Sequence, residues 1–141
     1  MAQSKIRIAV ADDEPSVPKL VARVLRMHHF DVWVEPNCGT ILRTLAATPD
    51  GIDLLVTDQS MPGMTGAELV RNARVYAPDL PVLLITGYSA DLASSDVNAW
   101  GASAYLTKPL DIFQLVEQVE SLLKLPRVGV ESAHLKSAQA R

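Results

Sequence analysis

The sequence predicts an α/β fold in which five parallel strands form a doubly wound sheet with helices on both faces. Three observations carry this expectation. Short apolar runs alternate with stretches of 3.6-residue periodicity, as repeated βα units require. Two of the runs are nearly continuous in apolar residues, the pattern of central strands covered on both faces. The chain of 141 residues has room for one such domain, and 48% hydrophobic with 21% charged residues is an ordinary globular balance.

The first strand is expected over Ile6–Ala11 ("IRIAVA"). "DVWVE" (Asp31–Glu35) is more polar and suits a sheet edge. "IDLLVT" (Ile52–Thr57) and "PVLLIT" (Pro81–Thr86) form the central pair, and "SAYLT" (Ser103–Thr107) is the fifth strand. Between them, Val17, Leu20, Val21, Val24 and Leu25 follow the i, i+3, i+4, i+7, i+8 rule of an amphipathic helix. Pro18 lacks an N–H, so that helix is expected to start near Ser16 or Val17, leaving the proline in its first turn. Ile41, Leu42 and Leu45 mark a shorter helix, and Ala90–Ala99 a weakly amphipathic one. Thr65 followed by Glu68 has the spacing of a capping box opening a helix that runs to about Tyr76. Ile112, Leu115, Val116, Val119, Leu122 and Leu123 define the last helix. No sustained pattern follows Leu125. Residues 1–125 are therefore read as one domain and 126–141 as a flexible tail. The strand order expected at this length is 2-1-3-4-5, which places a ligand beyond the carboxyl ends of the strands, where the winding reverses.

Composition excludes several functions. The net charge of -3 provides no basic field, so direct contact with nucleic acid is not expected. The single cysteine, Cys38, cannot form an internal disulfide and fits a reducing compartment. No signal-peptide core or membrane-spanning stretch interrupts the pattern, so a cytoplasmic location away from the membrane is expected.

The chemistry gathers at the strand ends. Asp12, Asp13 and Glu14 follow the first strand, while Asp58, Thr86 and Lys108 stand at or just past the ends of the third, fourth and fifth. Parallel strands bring all of these to one edge. Crowded carboxylates need a positive partner, which Lys108 or a hard divalent cation supplies. Oxygen-only donors favour Mg2+ over Zn2+. A carboxylate beside Mg2+ and an ammonium is a nucleophile suited to phosphorus, and both cations would offset the charge on a transferring phosphoryl group. Taken singly, the acids after the first strand also fit helix capping, Asp58 a turn, Thr86 loop chemistry and Lys108 a solvated charge. Chance assigns the four together far less readily.

"VADDEP", "LLVTDQSMPGMTG", "LLITGYS" and "AYLTKP" occur in an order and spacing that resemble the receiver domain of two-component response regulators. The resemblance covers about residues 5 to 125 and implies the flavodoxin-like order 2-1-3-4-5. It implies that Asp58 is the phosphoacceptor, that Asp13 is the direct Mg2+ ligand, and that Asp12 holds the metal through water. Asp58 itself and the backbone carbonyl of Ser60 complete the metal set, with Mn2+ as an alternative ion. Thr86 matches the switch hydroxyl, Lys108 the phosphoryl-contacting lysine, and Tyr105 the aromatic that changes rotamer. The Lys108–Pro109 bond is expected to be cis, as is usual in the family.

By the same resemblance the protein is a phosphorylation-dependent switch rather than an enzyme acting on external substrates. A histidine kinase or histidine phosphotransfer protein donates the phosphoryl group. A downstream protein reads the surface of the fourth helix, fifth strand and fifth helix, and a homodimer is compatible with that surface. The motif style is closest to receivers linked to hybrid histidine kinases, so either a stand-alone receiver or a module of such a kinase is expected. The 16 residues after Leu125 are too few for a DNA-binding domain. "EPNCGT" and Pro18 depart from the commonest family pattern, and Ser60 and Tyr88 stand at positions that tune phosphoryl lifetime. Two rivals share parts of this picture. A haloacid-dehalogenase-like phosphatase would need an aspartate where Ser60 stands. An FMN carrier would need a phosphate loop where Asp12, Asp13 and Glu14 would repel the phosphate.

Overall fold

A computed structural model of the chain describes residues 6–12, 16–61, 63–87 and 101–131. The elements in order are β1 (Arg7–Ala11), α1 (Ser16–Met27), β2 (Asp31–Glu35), α2 (Cys38–Ala47), β3 (Leu54–Asp58), α3 (Gly66–Tyr76), β4 (Val82–Thr86), β5 (Ala104–Thr107) and a C-terminal helix (Ile112–Glu131). All strand pairs are parallel, and the sheet order is β2-β1-β3-β4-β5, as expected from the alternation of βα units. The helix expected over Ala90–Ala99, Asp13, Glu14, Tyr88 and most of the tail lie outside the described residues.

β3 and β4 are buried at every position, which is why they read as apolar runs. β2, at the edge, buries only Val32 fully. The alternation of side chains splits the core into two clusters, one on each face of the sheet. Val82 and Leu84 of β4 join Ile41, Leu45, Leu69, Val70 and Ala73 from α2 and α3. Leu83 and Ile85 join Val21 and Leu25 of α1 and Leu115 and Val119 of the C-terminal helix.

Several boundaries differ from the sequence pattern. β3 begins at Leu54 rather than Ile52 and includes Asp58. Asp53 is instead committed to the start of β1: its N–H donates to the Arg7 carbonyl and its carboxylate accepts the Arg7 N–H, each at 2.8 Å. Leu20 belongs to the apolar pattern of α1 but is 43% exposed, because Val21, Ala22 and Leu25 already fill the contact with the sheet. Pro18 falls in the first turn, as expected, and is buried. The C-terminal helix continues beyond Leu125, where the periodicity stops, as far as Glu131.

Helix starts follow their side chains. Asn37 caps α2, its Oδ1 accepting the Gly39 N–H at 2.8 Å. Asp111 does the same for the C-terminal helix, accepting the Phe113 N–H at 2.9 Å. At α3 the capping box is complete: Thr65 Oγ1 accepts the Glu68 N–H at 3.1 Å, and Glu68 Oε1 accepts the Thr65 N–H at 2.9 Å. Among the described residues no helix is long and apolar enough to cross a membrane. Thr65→Ala should lower the unfolding free energy by about 1 kcal/mol, the usual loss for an N-cap hydroxyl. Urea unfolding checks this; a midpoint equal to wild type would show that the cap does not contribute.

Candidate functional site

The site lies at the carboxyl edge of the sheet and is assembled by register. Ala11 of β1 stands beside Thr57 of β3, so Asp12 and Asp58, each one residue further on, come to neighbouring strand ends. Asp58 in turn pairs with Ile85 of β4, and Thr86 pairs with Thr107 of β5. Asp12, Asp58 and Thr86 are 4%, 5% and 7% exposed, and with Thr57 they are the buried polar residues of the described structure.

Lys108 comes from the far side of β4. Its backbone N–H donates to the Thr86 carbonyl at 2.8 Å, and its Nζ lies 3.2 Å from Asp58 Oδ1. The peptide bond from Lys108 to Pro109 is cis, as expected. The lysine thus spans the end of β4 to reach the acid of β3. A carboxylate this deeply buried requires compensation, and an ammonium at hydrogen-bonding distance supplies it.

Thr86 and Tyr105 share a face of the sheet. Thr86 alternates with Val82 and Leu84, while Tyr105 pairs with Leu84 and packs against the cluster built on α2 and α3. They are diagonal neighbours on adjacent strands, within the reach of an aromatic ring.

Two residues that the motif reading passed over shape the loop after Asp58. The Gln59 N–H donates to the Ile85 carbonyl at 2.8 Å, extending the β3–β4 ladder by one residue. The Gln59 carbonyl accepts the Gly66 N–H at 2.9 Å, and its side-chain Oε1 accepts the Ala67 N–H at 2.9 Å. Gln59 therefore closes the loop and satisfies donors in the first turn of α3. Gly66 allows this approach: a Cβ there would sit 2.5 Å from the Asp58 carbonyl oxygen and 2.9 Å from Leu84 Cδ1. Gly63, within the loop, has φ 83°, a backbone conformation that glycine adopts without steric cost. The signal was present as two glycines flanking Thr65, but the need for them arises from packing.

Of the expected metal ligands, the structure brings Asp12 and Asp58 together, leaves the Ser60 side chain exposed, and does not describe Asp13. Among the described residues no group of three or more His, Cys, Asp or Glu side chains is assembled. The two buried carboxylates are oxygen donors of the kind Mg2+ prefers. The loop is flanked by a cavity of about 460 Å³ lined by Pro36, Cys38, Met61 and Met64 among others. Cys38 is not part of a disulfide.

Gly66→Ala should destabilise the fold by roughly 1–3 kcal/mol, the usual cost of overpacking. The Cβ must displace backbone at Asp58 and Gln59 as well as the Leu84 side chain. A denaturation midpoint unchanged from wild type would refute the close approach of α3 to the Asp58 carbonyl.

The family model described as response regulator receiver domain matches residues 8–120. The response regulator receiver protein CpdR of Brucella abortus is 32% identical over 117 residues, which cover 83% of this chain and 96% of that protein. The DNA-binding transcriptional regulator NtrC of Rhizobium meliloti is 32% identical over 120 residues, covering 85% of this chain. The chain spans only 24% of the length of that relative. The crystal structure of response regulator protein TrrA from Thermotoga maritima in complex with Mg2+-BeF matches with a TM-score of 0.73 and 30% identity, covering 84% of this chain and 99% of that one. Hybrid histidine kinases are also among the matches.

Proposed function

Because the chain belongs to the response regulator receiver domain family, whose members are phosphoacceptor signalling domains, we propose that Asp58 is its acceptor and that the phosphoryl group comes from a phosphohistidine on a histidine kinase or phosphotransfer protein. The observation that carries this reading is the buried Asp58 carboxylate with the Lys108 ammonium 3.2 Å away.

In the transfer, an Asp58 carboxylate oxygen attacks phosphorus. The P–O bond forms as the P–N bond breaks, and the electron pair leaves with the imidazole nitrogen. Lys108 starts on Asp58 and can move its contact to a phosphoryl oxygen, meeting negative charge where it accumulates. Burial keeps competing water from the carboxylate. A bound Mg2+, or Mn2+, would neutralise phosphoryl charge; Asp12, Asp13, Asp58 and the Ser60 carbonyl are the residues that would hold it.

After transfer, the Thr86 hydroxyl is the switch group that hydrogen-bonds the new anion. Tyr105, its neighbour on the same face, takes the space this leaves. A local charge change thereby biases a two-state surface. That surface comprises β5, the C-terminal helix and the segment before β5 for which the sequence predicts the fourth helix. A downstream protein partner, or a second copy in a homodimer, reads it. The domain acts as a switch in the cytoplasm, either as a separate protein or as the receiver of a longer hybrid kinase. The likeness to receivers of both kinds supports the two arrangements equally.

Incubation with acetyl phosphate and Mg2+ should add one phosphoryl group by intact mass. The adduct should be lost in Asp58→Asn and on metal removal; an adduct elsewhere would defeat the assignment. Asp13→Asn should weaken Mg2+ binding by about tenfold or more, since one charged oxygen ligand is lost. Unchanged affinity in a Mg2+ titration would remove Asp13 from the metal set.

A further inference from the structure

Arg74 lies in the last turn of α3, at the sheet edge opposite Asp58. Its guanidinium gathers three carbonyls from three points of the chain. Nη2 donates to Gly101 at 2.6 Å, and Nη1 donates to Leu80 and, at 3.4 Å, to Ala77. Ala77 ends α3, Leu80 leads into β4, and Gly101 leads into β5. Gly101 has φ 89°, and a Cβ there would lie 3.4 Å from Val70 Cγ1 and 3.7 Å from Arg74 Nε. Next to this junction, Ser103 and Val82 exchange two hydrogen bonds, Ser103 N–H to the Val82 carbonyl at 2.9 Å and Val82 N–H to Ser103 Oγ at 3.0 Å.

β5 is an edge strand with β4 as its one neighbour in the sheet. Its far end carries Lys108, whose reach to Asp58 depends on where the strand places its Cα. The strand is therefore fastened by a cation at each end, Arg74 at its start and Lys108 at its finish.

We propose that Arg74 is a positioning residue for the phosphoryl site: by holding the start of β5 against α3 and β4, it sets the position from which Lys108 meets Asp58. The role rests on the reading of Asp58 as phosphoacceptor. It requires arginine rather than lysine, because a planar fork donates to several carbonyls at once whereas an ammonium on a flexible stem does not. Burial lowers the Arg74 pKa from its ordinary value, and nearby Asp79 opposes that shift. An arginine remains charged throughout the physiological range despite such burial. The anchor is thus independent of pH where the protein works.

The test uses the full chain with Arg74→Lys, which keeps the charge and the aliphatic stem, and Arg74→Gln as a second variant should the first fail to fold. At saturating Mg2+, the rate of labelling by acetyl phosphate should fall on the order of tenfold, as misplacement of a catalytic group predicts. Mg2+ affinity and amide exchange in β1 and β3 should match wild type, while amides 102–108 exchange faster. Introducing Lys108→Met should abolish the effect of the Arg74 change on labelling, because Arg74 acts through Lys108. Equal labelling rates in wild type and variant, an effect that persists without Lys108, or a loss of protection across the whole sheet would each overturn the proposal. Wild-type protein that fails to label at Asp58 would overturn the phosphoacceptor reading itself, which separates that failure from this one.

Discussion

The ion pair between Lys108 and Asp58, at 3.2 Å, joins the ends of two strands that are not neighbours. Much of the surrounding structure follows from keeping that carboxylate out of water. Burying an ionised acid costs several kcal/mol unless a partner compensates it. The ammonium arrives from β5, across β4, while the register sets Asp12 on one side of Asp58 and apolar Ile85 on the other. The chain then leaves β3 through a loop drawn tight by Gln59, with Gly66 pressed against the Asp58 carbonyl. A bulkier residue at either contact would move the acid relative to the lysine.

The two faces of the sheet divide the work. On one, α1 and the C-terminal helix bury Leu83, Ile85 and Leu106. On the other, α2 and α3 pack against Leu84, with Tyr105 only partly covered beside them. Thr86 belongs to that second face, where it is a diagonal neighbour of Tyr105. Under the proposed transfer, a change at Asp58 would pass to the face that Thr86 shares with the partly covered Tyr105, rather than into the packed core of the other face.

Much of the fold was legible because parallel strands buried on both faces leave a strong trace. "LLVTD" and "VLLIT" could hardly be anything else, and the Thr65–Glu68 box declares its helix in four residues. The site was legible for a related reason: acids, a hydroxyl and a lysine recur at successive strand ends. Leu20 shows where periodicity misleads. It satisfies the helical pattern, yet α1 makes a narrow contact that Val21, Ala22 and Leu25 complete without it. The C-terminal helix shows the reverse, continuing through residues whose pattern offers no apolar stripe. Phe113, 80% exposed in its first turn, is equally unpatterned.

By itself, the sequence determined the strand count, their parallel sense, and the identity of the groups that share the carboxyl edge, because each depends on local periodicity and on which residues end which runs. Only the tertiary structure decided the contacts across the sheet: Lys108 bridging β4 to Asp58, Gln59 stapling the loop to α3, and Arg74 drawing three carbonyls together at the opposite edge. These pairs are separated along the chain by intervals that carry no periodic signal. Their meeting is fixed by register and by how closely two backbones approach, and neither quantity exists until the sheet is assembled.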